Sequence, residues 1–181
     1  KIDVWGVGTK LITAYDQPAL GAVYKIVALE DEQGVMQNTI KLSNNAEKVS
    51  TPGKKQVWRI TSRDKGKSEG DYITYDGVDV NEAKELHMFH PTYTYINKTV
   101  KNFDAVPLLQ DVFDQGHLVY ERPDLMTVKD YAKKELDHLW DEYKRVLNPQ
   151  DYPVDLAPDV WQDKMDLIAK MRKKASQTQD F

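Results

Sequence analysis

Gly6-Val7-Gly8-Thr9 is the stretch in which residue type and spacing first suggest chemistry. It follows Ile2-Asp3-Val4-Trp5, where Ile2, Val4 and Trp5 form a short apolar run of β-favouring residues, so a buried strand running into a tight turn is expected. The glycines permit backbone angles that other residues resist, and Thr9 adds a hydroxyl beside approachable amides. Where such a turn leads into a helix, unpaired backbone N–H groups and the positive helix end converge on one spot, which suits a phosphate. A Gly-x-Gly turn also ends strands that bind nothing, and on these ten residues alone that reading stays open.

Other chemistry-bearing residues are sparser. His87 and His90 lie near Glu85, but a strand places the two imidazoles on opposite faces and no third ligand follows at a metal-site spacing, so no metal site is expected. His117 follows Gly116 in a turn and His138 falls on a helix, and no Ser-His-Asp arrangement accompanies either. Tyr72, Tyr75, Tyr93 and Tyr95 could stack bases or sugars; alternating aromatics are first of all strand-packing residues, and no basic stripe runs beside them. Lys170, Arg172, Lys173 and Lys174 crowd the end of a helix, where they complement its dipole. Asn97-Lys98-Thr99 matches a glycosylation acceptor that has no use in a cytoplasmic protein.

Several blocks carry a resemblance. Asp3 to Thr9, Asp16-Gln17-Pro18-Ala19-Leu20-Gly21, Val23-Tyr24-Lys25-Ile26-Val27, Lys41-Leu42-Ser43, Glu47-Lys48, Thr51 to Val57, Leu139 to Arg145 and Asn148-Pro149 occur in an order and spacing similar to the late part of nicotinate phosphoribosyltransferases. The resemblance covers most of the chain. It implies that the opening turn lies late in an α/β barrel and that this polypeptide is the C-terminal portion of a longer enzyme, a reading that the start at Lys1 suits. The reaction it implies joins nicotinate to the phosphoribosyl unit of phosphoribosyl pyrophosphate, releasing pyrophosphate and giving nicotinate mononucleotide in NAD salvage. ATP hydrolysis is coupled through a phosphorylated histidine, with ATP and Mg serving the full enzyme, which the resemblance makes a homodimer.

Residue by residue, Gly8 and Thr9 match the family turn that holds the 5-phosphate, and Gly6 and Val7 shape it. The family's phosphorylated histidine and nicotinate ligands lie earlier in the chain, and none of the four histidines stands in the matching motif. No residue of this chain is therefore expected to be catalytic, and the chain alone is expected to be inactive and to bind no cofactor. Two other readings compete. Residues 22–181 could form a non-catalytic structural and interaction module that shapes the barrel mouth or the dimer contact, or an independent carbohydrate- or nucleotide-binding domain lined by the tyrosines.

Composition agrees with a soluble cytoplasmic protein. The 181 residues are 40% hydrophobic and 30% charged, and no apolar run approaches the roughly 20 residues of a membrane-spanning helix. The absence of cysteine excludes disulfides and thiol nucleophiles. A net charge of −4 argues against nucleic-acid binding, which rewards a concentrated basic surface.

The elements that must position these residues give an α+β fold in three parts. Residues 1–21 hold the late strand and phosphate-binding turn of an incomplete barrel. Residues 22–126 form a small antiparallel β domain, with strands at 23–30, 36–42, 56–62, 72–75 and 85–89 and a less regular pair across 92–113. Residues 127–181 form a C-terminal helical pair. Thr127 with Asp130 resembles a capping box that opens a helix to about 147, stopped by Asn148-Pro149. Residues 152–158 read as an extended linker, and Pro158 starts a second helix to about 174. Leu136, Leu139, Trp140, Trp161, Met165 and Ile168 are the expected packing residues of the two helices.

Overall fold

The computed structural model describes residues 3–8, 13, 22–45 and 48–178. A small hairpin comes first, β1 (Ala28–Glu30) pairing antiparallel with β2 (Met36–Asn38). Its turn is tied by Asp31, whose carboxylate accepts from the Gln33 and Val35 amides at 3.0 and 2.9 Å, and Gly34 takes a positive φ that side chains resist.

The main body is a six-stranded sheet built from β3 (Lys55–Ser62), β4 (Ser68–Tyr75), β5 (Glu85–Phe89), β6 (Asn97–Lys101), β7 (Phe103–Pro107) and a last strand, Val154–Leu156. A two-stranded ribbon intervenes, β8 (Phe113–Asp114) with β9 (His117–Leu118), which makes the last strand β10. The order across the main sheet is β6-β5-β10-β4-β3-β7. The two outermost strands, β6 and β7, are joined by Asn102 alone, so the sheet has to curl until its edges approach. Asn102 makes that corner in the left-handed region, which asparagine tolerates better than most residues. Its carbonyl accepts from the Arg63 amide, tying the corner to the β3–β4 loop.

The alternation in β3 buries Trp58, Ile60 and Ser62 while Val57 and Arg59 face the other way, as the period-2 pattern predicts. Ile60, Met88 and Val160 are fully buried and Trp58, Tyr72, Leu86, Val100, Phe103 and Leu156 surround them. Of the tyrosines expected to pack, Tyr72 does and Tyr75 packs in part, whereas Tyr93 and Tyr95 are exposed.

The sheet is mixed, which corrects the expectation of an antiparallel domain ending at 126. The segment read as a linker supplies β10, parallel to β4 and antiparallel to β5. Proline lacks only a donor, and at a strand start the Pro153 carbonyl still accepts from the Asp71 amide at 3.0 Å. Gly70 makes that approach possible: a Cβ there would meet Pro153 Cγ at 2.8 Å.

Helix α1 (Leu125–His138) begins two residues before Thr127 because Asp124 is the cap, its carboxylate accepting from the Thr127 amide at 2.8 Å. It also ends nine residues short of 147. Lys67 Nζ donates to the Asp137 and Leu139 carbonyls at 2.8 and 3.3 Å, and the Trp140 indole donates to the Ser68 carbonyl, so the sheet claims the groups that would continue the helix. No residue of α1 is buried; Leu136, expected in the core, is 53% exposed. Helix α2 (Pro158–Thr178) starts at its proline as expected, and Val160 rather than Trp161 is its fully buried residue.

In a urea titration, Ile60→Ala is expected to cost about 2–5 kcal/mol by emptying a sealed site. Leu136→Ala should cost less than about 0.5 kcal/mol, as at a neutral surface position. An equal loss from both would place α1 inside the core.

Candidate functional site

Only part of the opening motif, Gly6 to Gly8, lies among the described residues. Residues 3–8 lie in no strand and no tight turn, and Val4 and Trp5 are 85% and 75% exposed. The physical reason is a lack of neighbours: a strand needs a hydrogen-bonding partner, and no described strand lies beside these residues. Gly6 and Gly8 both have open space around them and neither takes a positive φ, and Val7 is exposed. Thr9, and any helix following it before residue 21, lie outside the described residues.

The densest polar arrangement sits elsewhere, where β3, β4, α1 and the approach to β10 meet. Arg59 and Asp71 are register partners on adjacent strands, so their side chains share a face. The guanidinium forks onto the carboxylate, with Nε–Oδ1 at 3.1 Å and Nη2–Oδ2 at 3.3 Å, and its Nη1 donates to Glu135 Oε2 at 2.6 Å. Tyr152 donates to Asp71 Oδ1 at 2.9 Å and its hydroxyl meets Ser68 Oγ at 2.6 Å. Burial works against the Arg59 charge, yet the hydrogen bonds it donates to Asp71 and Glu135 outweigh it and raise its affinity for the proton. Burial also pushes the Tyr152 hydroxyl up to about 12, with the Ser68 bond opposing and the Asp71 charge reinforcing the shift.

Beside this network a cleft of about 590 Å³ opens between the β5–β6 connection and the segment entering β10. His90, Tyr93, Lys98, Tyr143, Tyr152 and Asp155 are among its lining residues. His90 Nδ1 accepts from the Thr92 and Tyr93 amides at 3.1 and 3.0 Å, so it serves as a turn cap. Asp155 is 6% exposed, and burial raises its carboxyl above the usual range against the opposing influence of Lys98 and His90.

The histidines do not converge. His87 is exposed on β5, His117 is exposed in the β8–β9 ribbon, and His138 ends α1 with Nδ1 3.8 Å from Glu135 Oε1. Among the described residues no three His, Asp or Glu side chains gather as metal ligands, and no helix is long and apolar enough to cross a membrane. Sequence reasoning passed over Arg59, Asp71, Tyr152 and Asp155. The one available signal was an acidic residue between Val154 and Leu156, an unusual place for a charge.

Comparison with known proteins adds a consistent set of likenesses. Residues 54–164 match the family described as Nicotinate phosphoribosyltransferase C-terminal domain. The chain is similar to the nicotinate phosphoribosyltransferase of Bacillus subtilis, with 52% identity over 174 residues covering 96% of this chain and 35% of that protein. It is similar to the human protein of the same name at 31% identity over 157 residues, covering 87% of this chain and 28% of that one. The crystal structure of human nicotinic acid phosphoribosyltransferase superposes with a TM-score of 0.59 at 25% identity, over 66% of this chain and 24% of that chain. This chain thus spans 35% or less of the length of these relatives.

Burial holds the Tyr72 hydroxyl, like that of Tyr152, up to about 12, with the charges of Asp159 and Asp155 adding to the effect. A raised folded-state pKa means that the neutral hydroxyls favour the folded state fully below the ordinary value of 10.0, and that this contribution is lost as pH rises to about 12. An ultraviolet titration should show a late ionisation step that shrinks in Tyr152→Phe; one transition centred near pH 10 for all ten tyrosines would contradict these environments.

Proposed function

Because this chain belongs to the nicotinate phosphoribosyltransferase C-terminal domain family, we propose that it is the C-terminal part of an enzyme transferring phosphoribosyl from phosphoribosyl pyrophosphate to nicotinate. The product is nicotinate mononucleotide, in NAD salvage, and the transfer is coupled to ATP. The observation that carries this reading is the 52% identity to the Bacillus subtilis protein across nearly the whole chain.

Within that enzyme the proposed task of Gly6, Val7, Gly8 and Thr9 is to hold the 5-phosphate of the phosphoribosyl group. Backbone amides fix the substrate's tail while the bond change occurs at the ribose carbon, a positioning role. The open space at Gly6 and Gly8 supports this use, since among the described residues nothing lies within 4 Å of where a side chain would stand at either glycine. In this reading ATP and Mg serve the full-length enzyme.

The curled sheet and α2 are the proposed scaffold, and α1 the proposed docking face. Leu125, Met126, Val128, Tyr131 and Leu136 are all exposed on one helix, an apolar surface of the kind that marks a contact. This supports the structural and interaction reading for residues 22–181, which is compatible with the enzyme reading: the module packs on the barrel or on a second subunit of a cytoplasmic homodimer.

Two experiments test the proposal. The protein alone, given nicotinate, phosphoribosyl pyrophosphate and ATP, is expected to form no nicotinate mononucleotide, because a barrel site is assembled from several strand ends. Adding in trans the portion of the Bacillus subtilis relative that this chain does not cover should produce it; no product on mixing would overturn the assignment, and product from the chain alone would overturn the expectation that its site is completed elsewhere. In that complemented enzyme, Gly8→Val should weaken phosphoribosyl pyrophosphate binding about tenfold, the scale of one hydrogen bond to a charged group. Thermal stability should hold, since Gly8 needs neither space nor a positive φ. Unchanged calorimetric affinity would remove Gly8 from the phosphate site.

A further inference from the structure

We propose that the cleft between the β5–β6 connection and the segment entering β10 binds a guanidinium group, with Asp155 as its counter-ion and tyrosine rings as its walls. The first observation is Asp155 itself. Its residue is 6% exposed, it lines the cleft, and among the described residues nothing donates a hydrogen bond to its carboxylate or forms an ion pair with it. No side-chain oxygen sealed from solvent among the described residues lacks a partner, so the Asp155 carboxylate is reached from the cleft, where a charged donor can meet it.

The second observation is the sign of the lining. Lys98, the one lysine there, is engaged by Glu69, through the backbone carbonyl and through Oε2 at 3.2 Å. His90 faces Asp155 as well, but its Nδ1 is already an acceptor for two amides. Asp151 and Asp155 are the remaining charged lining residues, so the cleft favours a cation.

The third observation selects the cation. Tyr93, Tyr143 and Tyr152 line the cleft, and a planar guanidinium can stack on a ring while forking onto a carboxylate, which an ammonium cannot. The chain already uses this arrangement next door: Arg59 forks onto Asp71 with its guanidinium carbon 5.9 Å from the centre of the Tyr152 ring. A volume near 590 Å³ leaves room for more than the guanidinium, so the group arrives either on an arginine side chain of a polypeptide or on a free arginine-like molecule.

The test titrates the protein with methylguanidinium, free arginine and Nα-acetyl-arginine methylamide, followed by NMR, with methylammonium as the control. All three guanidinium probes should saturate with millimolar Kd, and methylammonium should bind about threefold more weakly. Equal affinity of free and blocked arginine identifies a polypeptide side chain as the source, whereas clearly tighter binding of free arginine identifies the small molecule. Asp155→Asn should weaken binding about tenfold, as expected for loss of a charge-assisted pair, while its melting temperature stays equal or rises because a desolvated charge is gone. Asp151→Asn, at an exposed position where solvent screens the charge, should weaken binding by less than about twofold. Tyr143→Leu, expected to weaken binding severalfold through the lost ring, is the second variant should Asp155→Asn fail to fold. No saturation by about 100 mM, far above a millimolar Kd, or unchanged affinity in Asp155→Asn or Tyr143→Leu, would overturn the proposal.

Discussion

Three residues of backbone, Val154 to Leu156, hold this structure together. The β5–β6 hairpin and the β4-β3-β7 sheet share no ladder of their own; β10 lies between them and bonds to both. The same main-chain run continues into the Ala157 amide, which donates to the Ile73 carbonyl at 2.8 Å, and then into α2, so Val160 enters the core as a consequence of where β10 sits. A parallel pair between residues 71–73 and 154–156 closes a long loop before it gains any contact energy, and such closure has to be compensated by the burial it brings. That burial is Leu156, Ala157 and Val160 against Trp58, Tyr72 and Met88.

The polar groups depend on the same strand. Tyr152 reaches Asp71 and Ser68 because it stands two residues before β10, and Asp155 is desolvated because it is in β10. The two aspartates have opposite fates. Asp71 is met by a forked guanidinium and a phenol, which offsets the loss of water, and Arg59 extends the bond to Glu135 so that α1 is moored by charge rather than by apolar packing. Asp155 has no comparable donor, and the difference between the two carboxylates is what makes the cleft chemically uneven.

What could be read from the sequence follows how local each cause is. β3 and β5 were legible because alternation along one strand is enough to fix their inward face: Trp58 and Ile60 in one, Leu86 and Met88 in the other. The α2 start was legible because Pro158 suits a first turn. β10 was hidden by its three-residue length and by prolines on both sides, and its identity rests on partners some eighty positions away. The end of α1 was hidden for a similar reason, since Lys67, not Asn148-Pro149, takes its last carbonyls. For the candidate sites the balance reverses: Gly6-Val7-Gly8-Thr9 is conspicuous as a motif yet has no formed geometry in the described residues, while Asp155 is inconspicuous as a residue and singular in its surroundings.

These two kinds of incompleteness point the same way. Val4 and Trp5 at the start, and Leu125, Met126 and Leu136 on α1, expose apolar area that folding alone would hide if the chain could reach it. The interior is not short of order: every deeply buried side-chain polar atom among the described residues has a partner. A fully satisfied interior and large exposed side chains at the margins thus coexist among the described residues. The relatives this chain matches are about three times as long.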